Sequence, residues 1–116
     1  MIYVIDDDEV MGGCIAKACG DVRVRRFTNA IEAMEAISGG ELPELIFLDI
    51  LLDGPDGFTF LNELVSYADT VKIPVVVVTS LDFSGKDLAA YGVVGVLSKD
   101  TMRPEEVRGY VQRYIG

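Results

Sequence analysis

The chain has 116 residues, 50% of them hydrophobic and 25% charged, a composition of compact globular domains rather than of disordered or fibrous chains. Asp and Glu number 19 against 10 Lys and Arg, a net charge of −9, so the chain lacks the basic surface that a nucleic-acid backbone rewards. Histidine is absent, which excludes any mechanism that draws an imidazole base, nucleophile or metal ligand from this chain.

Ile2 to Ile5 is a short apolar strand that stops at Asp6-Asp7-Asp8. It has no basic start, long apolar stretch or small-residue cleavage site, so the N-terminus reads as that of a cytoplasmic protein rather than as a leader. Glu9 to Cys19 reads as the first helix despite Gly12-Gly13, glycines that cost about 1 kcal/mol each relative to alanine. Asp8 and Glu9 suit the positive N-terminus of that helix. Cys14 and Cys19 fall on different faces of it and read as reduced structural thiols. Val22 to Phe27 opens with the alternation Val-Arg-Val-Arg, the pattern of a half-exposed edge strand.

Asn29 to Ser38 reads as the second helix, with Asn29 as cap, Glu32 at the third helical position and Gly39-Gly40 as terminator. Its expected apolar stripe includes Ile31, Met34 and Ile37. Leu45 to Leu48 is the third strand, Phe58 to Tyr67 the third helix, and Val75 to Val78 the fourth strand. That valine run is the longest aliphatic stretch, far short of the ~18 apolar residues of a membrane span. Leu88 to Tyr91, closed by Gly92, supplies the fourth helix, and Val93 to Leu97 the fifth strand. Pro104 opens the last helix, which sets Val107, Tyr110, Val111, Tyr114 and Ile115 on one stripe.

Short β-branched runs alternating with amphipathic segments are the mark of βαβ units. Right-handed crossovers then give an α/β protein with a doubly wound sheet, its site outside the carboxyl ends of the strands. Every strand except the expected edge is followed there by a reactive polar residue: Asp6 and Asp7, Asp49, Thr79 and Lys99. Singly, each has an ordinary reading: Asp49 as a turn or capping residue, Thr79 as a cap, Lys99 as a solvated lysine. Together they form a constellation. Three carboxylates at one sheet edge repel unless a cation neutralises them, and oxygen ligands without His or clustered Cys suit Mg²⁺. A carboxylate can itself attack phosphorus once cations offset the charge on the equatorial oxygens. Asp49 is the expected nucleophile, Asp6 and Asp7 the ion-holding pair, with Thr79 and Lys99 against the phosphoryl oxygens.

Along its whole length the chain resembles the receiver domain of two-component response regulators. The residues that carry the resemblance are Ile2-Tyr3-Val4-Ile5-Asp6-Asp7-Asp8-Glu9, Leu48-Asp49 with Asp56-Gly57 downstream, Val75 to Val78 with Thr79-Ser80, and Leu97-Ser98-Lys99. It implies a single domain over residues 1–116, a flavodoxin-like (βα)5 three-layer sandwich, and a parallel five-stranded sheet of order 2-1-3-4-5. It implies that Asp49 accepts a phosphoryl group from a histidine kinase or a histidine phosphotransfer protein. Asp6, Asp7, Asp49 and the backbone carbonyl of Leu51 would hold Mg²⁺, with Mn²⁺ as the alternative ion. Thr79 and Lys99 would engage the phosphoryl group beside the small Ser80. The implied partners further include a downstream protein or output domain, or a second copy through the face of the fourth helix, fifth strand and fifth helix. Such a domain is a phosphoacceptor and not a turnover enzyme, and it meets neither nucleic acid nor membrane directly.

Three positions depart from the family pattern. Val96 stands at the switch position where many receivers carry Tyr or Phe. Asp100 stands where proline is usual, so the Lys99–Asp100 peptide is expected to be trans. In Asp53-Gly54-Pro55 the proline is displaced. Leu51 and Leu81 flank the expected path of hydrolytic water, and their apolar character points to slow dephosphorylation. Two other functions compete. A pseudo-receiver would keep the fold and bind protein constitutively. A metal-dependent aspartyl-phosphate phosphatase would need a second carboxylate two residues past the nucleophile, where Leu51 stands. The chain ends directly after the fifth helix, which suits a standalone regulator and equally an amino-terminal piece of a longer one.

Overall fold

The computed structural model describes residues 1–50, 57–80 and 88–115. Five strands, β1 (Ile2–Ile5), β2 (Val24–Phe27), β3 (Leu45–Asp49), β4 (Val75–Thr79) and β5 (Val93–Ser98), form one sheet in the order β2-β1-β3-β4-β5. Every pairing is parallel. The helices are α1 (Glu9–Ala18), α2 (Ala30–Ser38), α3 (Gly57–Val65) and α4 (Pro104–Tyr114). None is long and apolar enough to cross a membrane.

The central strands are buried on both faces, so each apolar residue in them serves one of two cores. Tyr3, Ile5, Ile46, Leu48, Val75 and Val77 point to one side, where α2 and α3 bring Ala33, Ile37, Phe60 and Leu64. Ile2, Val4, Phe47, Val76 and Val78 point to the other, where α1 and α4 bring Ile15, Ala18, Val107 and Val111. Strand alternation thus becomes a three-layer α/β/α sandwich. Helix starts follow the sequence signals. Asp8 caps α1 by accepting from the N–H groups of Val10 and Met11, and Asn29 caps α2 by accepting from Glu32. At α4 the Glu106 carboxylate accepts the Arg103 N–H ahead of Pro104. The α4 stripe packs as its spacing predicts, with Tyr110, Tyr114 and Ile115 flanking buried Val107 and Val111.

Several expectations are corrected. The ladder of β2 begins at Val24 rather than Val22, with Ile2 N–H still reaching the Arg23 carbonyl at 2.8 Å. β5 is the other edge, as the order 2-1-3-4-5 implies, although its sequence is as apolar as a central strand. Val94 and Val96 stay exposed, and the register slips between Val75 and Val76. On α2 the buried stripe is Ala30, Ala33 and Ile37, whereas Ile31 is 53% exposed. α3 stops at Val65, not at Tyr67. In the fourth crossover the described residues hold a 3-10 turn, Ala89–Tyr91, in place of a helix. Tyr91 and Gly92 donate to carbonyls three residues back, and Gly92 then takes φ 78°, a left-handed conformation that ends the turn. Leu51, Asp53, Gly54, Pro55, Asp56 and Leu81 lie outside the described residues. No peptide bond among the described residues is cis, Lys99–Asp100 included. Cys14 is exposed and Cys19 buried, both are free thiols, and burial pushes the Cys19 thiol up to about 11.

Candidate acidic site at the strand ends

Parallel pairing puts the carboxyl ends of all five strands on one side of the sheet. Asp6 follows β1 directly, and its N–H continues the ladder by donating to the Phe27 carbonyl at 3.0 Å. Asp49 is the last residue of β3 and stands opposite Val78 of β4. Thr79 ends β4 one residue further on, fully buried and paired with Ser98. Lys99 follows β5, and its N–H donates to the Thr79 carbonyl at 2.9 Å. Backbone hydrogen bonds therefore deliver Asp6, Asp49, Thr79 and Lys99 to one corner, while Ser80 is exposed just beyond.

The side chains close the arrangement. Lys99 Nζ donates to Asp49 Oδ2 at 2.9 Å and to Asp6 Oδ1 at 3.4 Å, joining two carboxylates that are only 3% and 4% exposed. Asp6 Oδ1 also accepts the Asp8 N–H at 2.9 Å. Asp6 Oδ2 lies 3.3 Å from the ammonium but has no hydrogen bond of its own among the described residues. Oxygen atoms of Asp6, Asp7 and Asp49 all fall within 4.8 Å of one another.

Burial raises the Asp6 carboxyl above its ordinary 3.8. The Asp8 N–H pulls it back, the Asp49 charge adds to the rise, and Lys99 opposes it. For Lys99, burial works against the charged form, but its hydrogen bond to Asp49 and the charges of Asp6 and Asp49 outweigh that and raise it above 10.5. One ammonium thus faces more negative charge than it cancels. Such a corner, with a buried carboxylate oxygen left over and carboxylate oxygens of Asp6, Asp7 and Asp49 close together, fits a hard divalent cation.

The structure brings together Asp6, Asp7, Asp49 and Lys99 and sets Thr79 at the adjoining strand end. It also gives two residues a supporting role that the sequence did not reveal: Gly57, quoted there only within Asp56-Gly57, and Arg26. A Cβ on Gly57 would sit 2.6 Å from Ile50 Cα and 3.0 Å from the Asp49 carbonyl oxygen, so only glycine lets α3 start against the end of β3. Gly57 N–H donates to the Ile50 carbonyl at 3.0 Å. Arg26 is the second. Its guanidinium donates to the Glu9 carbonyl at 2.7 Å, and a Cβ on Gly12 would come within 3.3 Å of it. The Gly12-Gly13 pair thereby admits the arginine that ties β2 to the first turn of α1, next to the acidic run. A glycine pair inside a helix was the available signal, though nothing local named its partner.

The family model for the response regulator receiver domain matches residues 2–112. Response regulator Rre1 of Synechocystis is 32% identical over 98 residues, 83% of this chain and 42% of that protein. Response regulator PleD of Caulobacter vibrioides is 42% identical over 50 residues, 43% of this chain and 11% of PleD. The chain thus spans less than half the length of either relative. The receiver domain of NtrX from Brucella abortus has a similar structure, with a TM-score of 0.83 at 25% identity over 99% of this chain and 98% of that one. The Mn²⁺-bound form of response regulator Rcp1 shares the fold, with a TM-score of 0.75 at 22% identity over 97% and 88% of the two chains. The chain belongs to the response regulator receiver domain family of two-component signalling.

Proposed function

We propose that this receiver accepts a phosphoryl group on Asp49 from a phosphohistidine of a kinase or phosphotransfer partner, in a Mg²⁺-dependent reaction, and thereby switches a protein-binding surface. The observation that carries the reading is the Lys99 ammonium held between buried Asp49 and Asp6 at the strand ends. Asp49 would attack phosphorus through a carboxylate oxygen. A phosphorus–oxygen bond forms as the phosphorus–nitrogen bond breaks, and the departing imidazole keeps the electron pair. Because this chain has no histidine, that imidazole belongs to the donor.

Asp6, Asp7, Asp49 and the Leu51 carbonyl would hold Mg²⁺, or Mn²⁺ with the same oxygen preference, and the bound ion offsets charge on the phosphoryl oxygens. Lys99 would follow one phosphoryl oxygen from its present seat on Asp49. Thr79 would donate its hydroxyl to another, with exposed Ser80 leaving room for the group. We read residues 1–116 as one such unit, cytoplasmic, acting on a downstream protein, an output domain or a second copy. It is a substrate of its kinase rather than a turnover enzyme.

Intact mass after incubation with acetyl phosphate tests this. A single adduct that requires Mg²⁺ and disappears in Asp49→Asn is the expected result. Val96, 43% exposed at the switch position, favours one second reading, a receiver fold that binds protein constitutively. No adduct, under conditions that label another receiver, selects that reading.

A further inference from the structure

Away from the acidic corner, α2 and α3 cover the buried sheet but part from each other above it. They leave a groove of about 500 Å³, open to solvent, within the range of sites that bind other molecules. Its walls are apolar: Ile31 and Met34 come from α2, and Phe60 forms the floor from α3. Ile31 is 53% exposed there, a large β-branched residue on a helix whose buried residues are Ala30, Ala33 and Ile37. Glu35 and Glu63 stand along the same groove, and neither α2 nor α3 carries a Lys or Arg. The groove is thus an apolar floor with rims of one sign.

We propose that this groove docks an amphipathic helix of a partner protein, with apolar residues spaced i, i+3, i+4 and i+7 and flanked by Lys or Arg. Each wall is nine residues long, about 13 Å at 1.5 Å per residue, the length of two to three turns of a docked helix. Charge selects the occupant. A second copy would set the same glutamates against each other in a symmetric contact, and an anionic lipid surface would be repelled. A basic helix meets both rims favourably, which raises its association rate and excludes acidic competitors.

The test is an NMR titration of the unphosphorylated protein, so its outcome is separate from that of phosphoryl transfer. Two synthetic helical peptides of ~15 residues share the same leucine positions, one flanked by lysines and the other by glutamates. Shifts confined to α2 and α3 are expected, with the lysine peptide bound at least about tenfold more tightly. Ile31→Asp should weaken that binding about tenfold. Glu35→Lys combined with Glu63→Lys should reverse the preference between the peptides. All three positions are exposed, and the amide spectrum of each variant reports that it folds. Absence of saturable shifts by about 1 mM peptide, shifts centred on β5 or α4, or equal affinity for the two peptides overturns the proposal. Self-association that Ile31→Asp abolishes also overturns it, in favour of a second copy.

Discussion

Leu48 and Asp49 are neighbours on β3 and almost equally buried, at 0% and 3% exposure, yet burial acts on them with opposite sign. Leu48 leaves water for the core beneath α2 and α3 and stabilises the sheet. Asp49 leaves water for a corner that already holds Asp6, where the Lys99 ammonium offsets part of the charge. The same difference repeats along β1, where Ile5 is followed by Asp6, and along β4, where Val78 is followed by Thr79. Strand bodies hold the molecule together, and strand ends hold a destabilised polar site that those bodies position. Concentrating buried like charge at the strand ends in this way costs stability, the usual trade where a polar site is built into a fold.

The largest change should come from the strand body. Leu48→Ala removes a fully buried side chain, and a loss of about 2–5 kcal/mol in urea unfolding is expected. Gly57→Ala acts where body and end meet. Its methyl group would strike Ile50, so a loss of about 1–3 kcal/mol is expected, accompanied by weaker phosphoryl labelling because the end of β3 moves. A variant as stable as the natural protein would show that α3 can retreat freely.

At the strand ends the two signs can be separated. Lys99→Met leaves two buried carboxylates without their cation and should destabilise the metal-free protein by about 1–3 kcal/mol at neutral pH. Because the folded state raises Lys99 above 10.5, its contribution is fully present below that pH and fades as pH rises through the raised value. The gap between variant and natural protein should close only in strong base, as thermal melts against pH would record.

Asp6→Asn should do the reverse and stabilise the metal-free protein by about 0.5–2 kcal/mol at pH 7. The folded state holds Asp6 above 3.8, so the natural protein loses stability as pH rises through that raised value. The advantage of the variant should therefore shrink as pH falls from the raised value and vanish below 3.8, where the natural carboxyl is protonated in both states. Added Mg²⁺ should also narrow it by binding the natural carboxylates. An advantage that is independent of pH would show that packing, not charge, separates the two chains.

The alternation of apolar runs, the caps at Asp8 and Asn29, the stop at Gly92 and the polar residue after each inner strand were all readable from the chain, because each depends on residues within a few positions of one another. Parallel βαβ connectivity then leaves one edge on which Asp6, Asp49, Thr79 and Lys99 can meet. The edge character of β2 was readable as well, from its arginine alternation. That of β5 was not readable from its own composition, because a valine-rich strand looks the same whether a neighbour covers it or none arrives; it followed only from the sheet order that the family resemblance implies, which leaves Val94 and Val96 exposed. Tertiary structure alone placed the Lys99 ammonium 2.9 Å from Asp49, set Gly57 against Ile50, seated Arg26 on Gly12-Gly13 and turned Ile31 out into the groove. Those contacts join residues distant in the chain, and their geometry depends on how helices settle onto a twisted sheet, which no local pattern encodes.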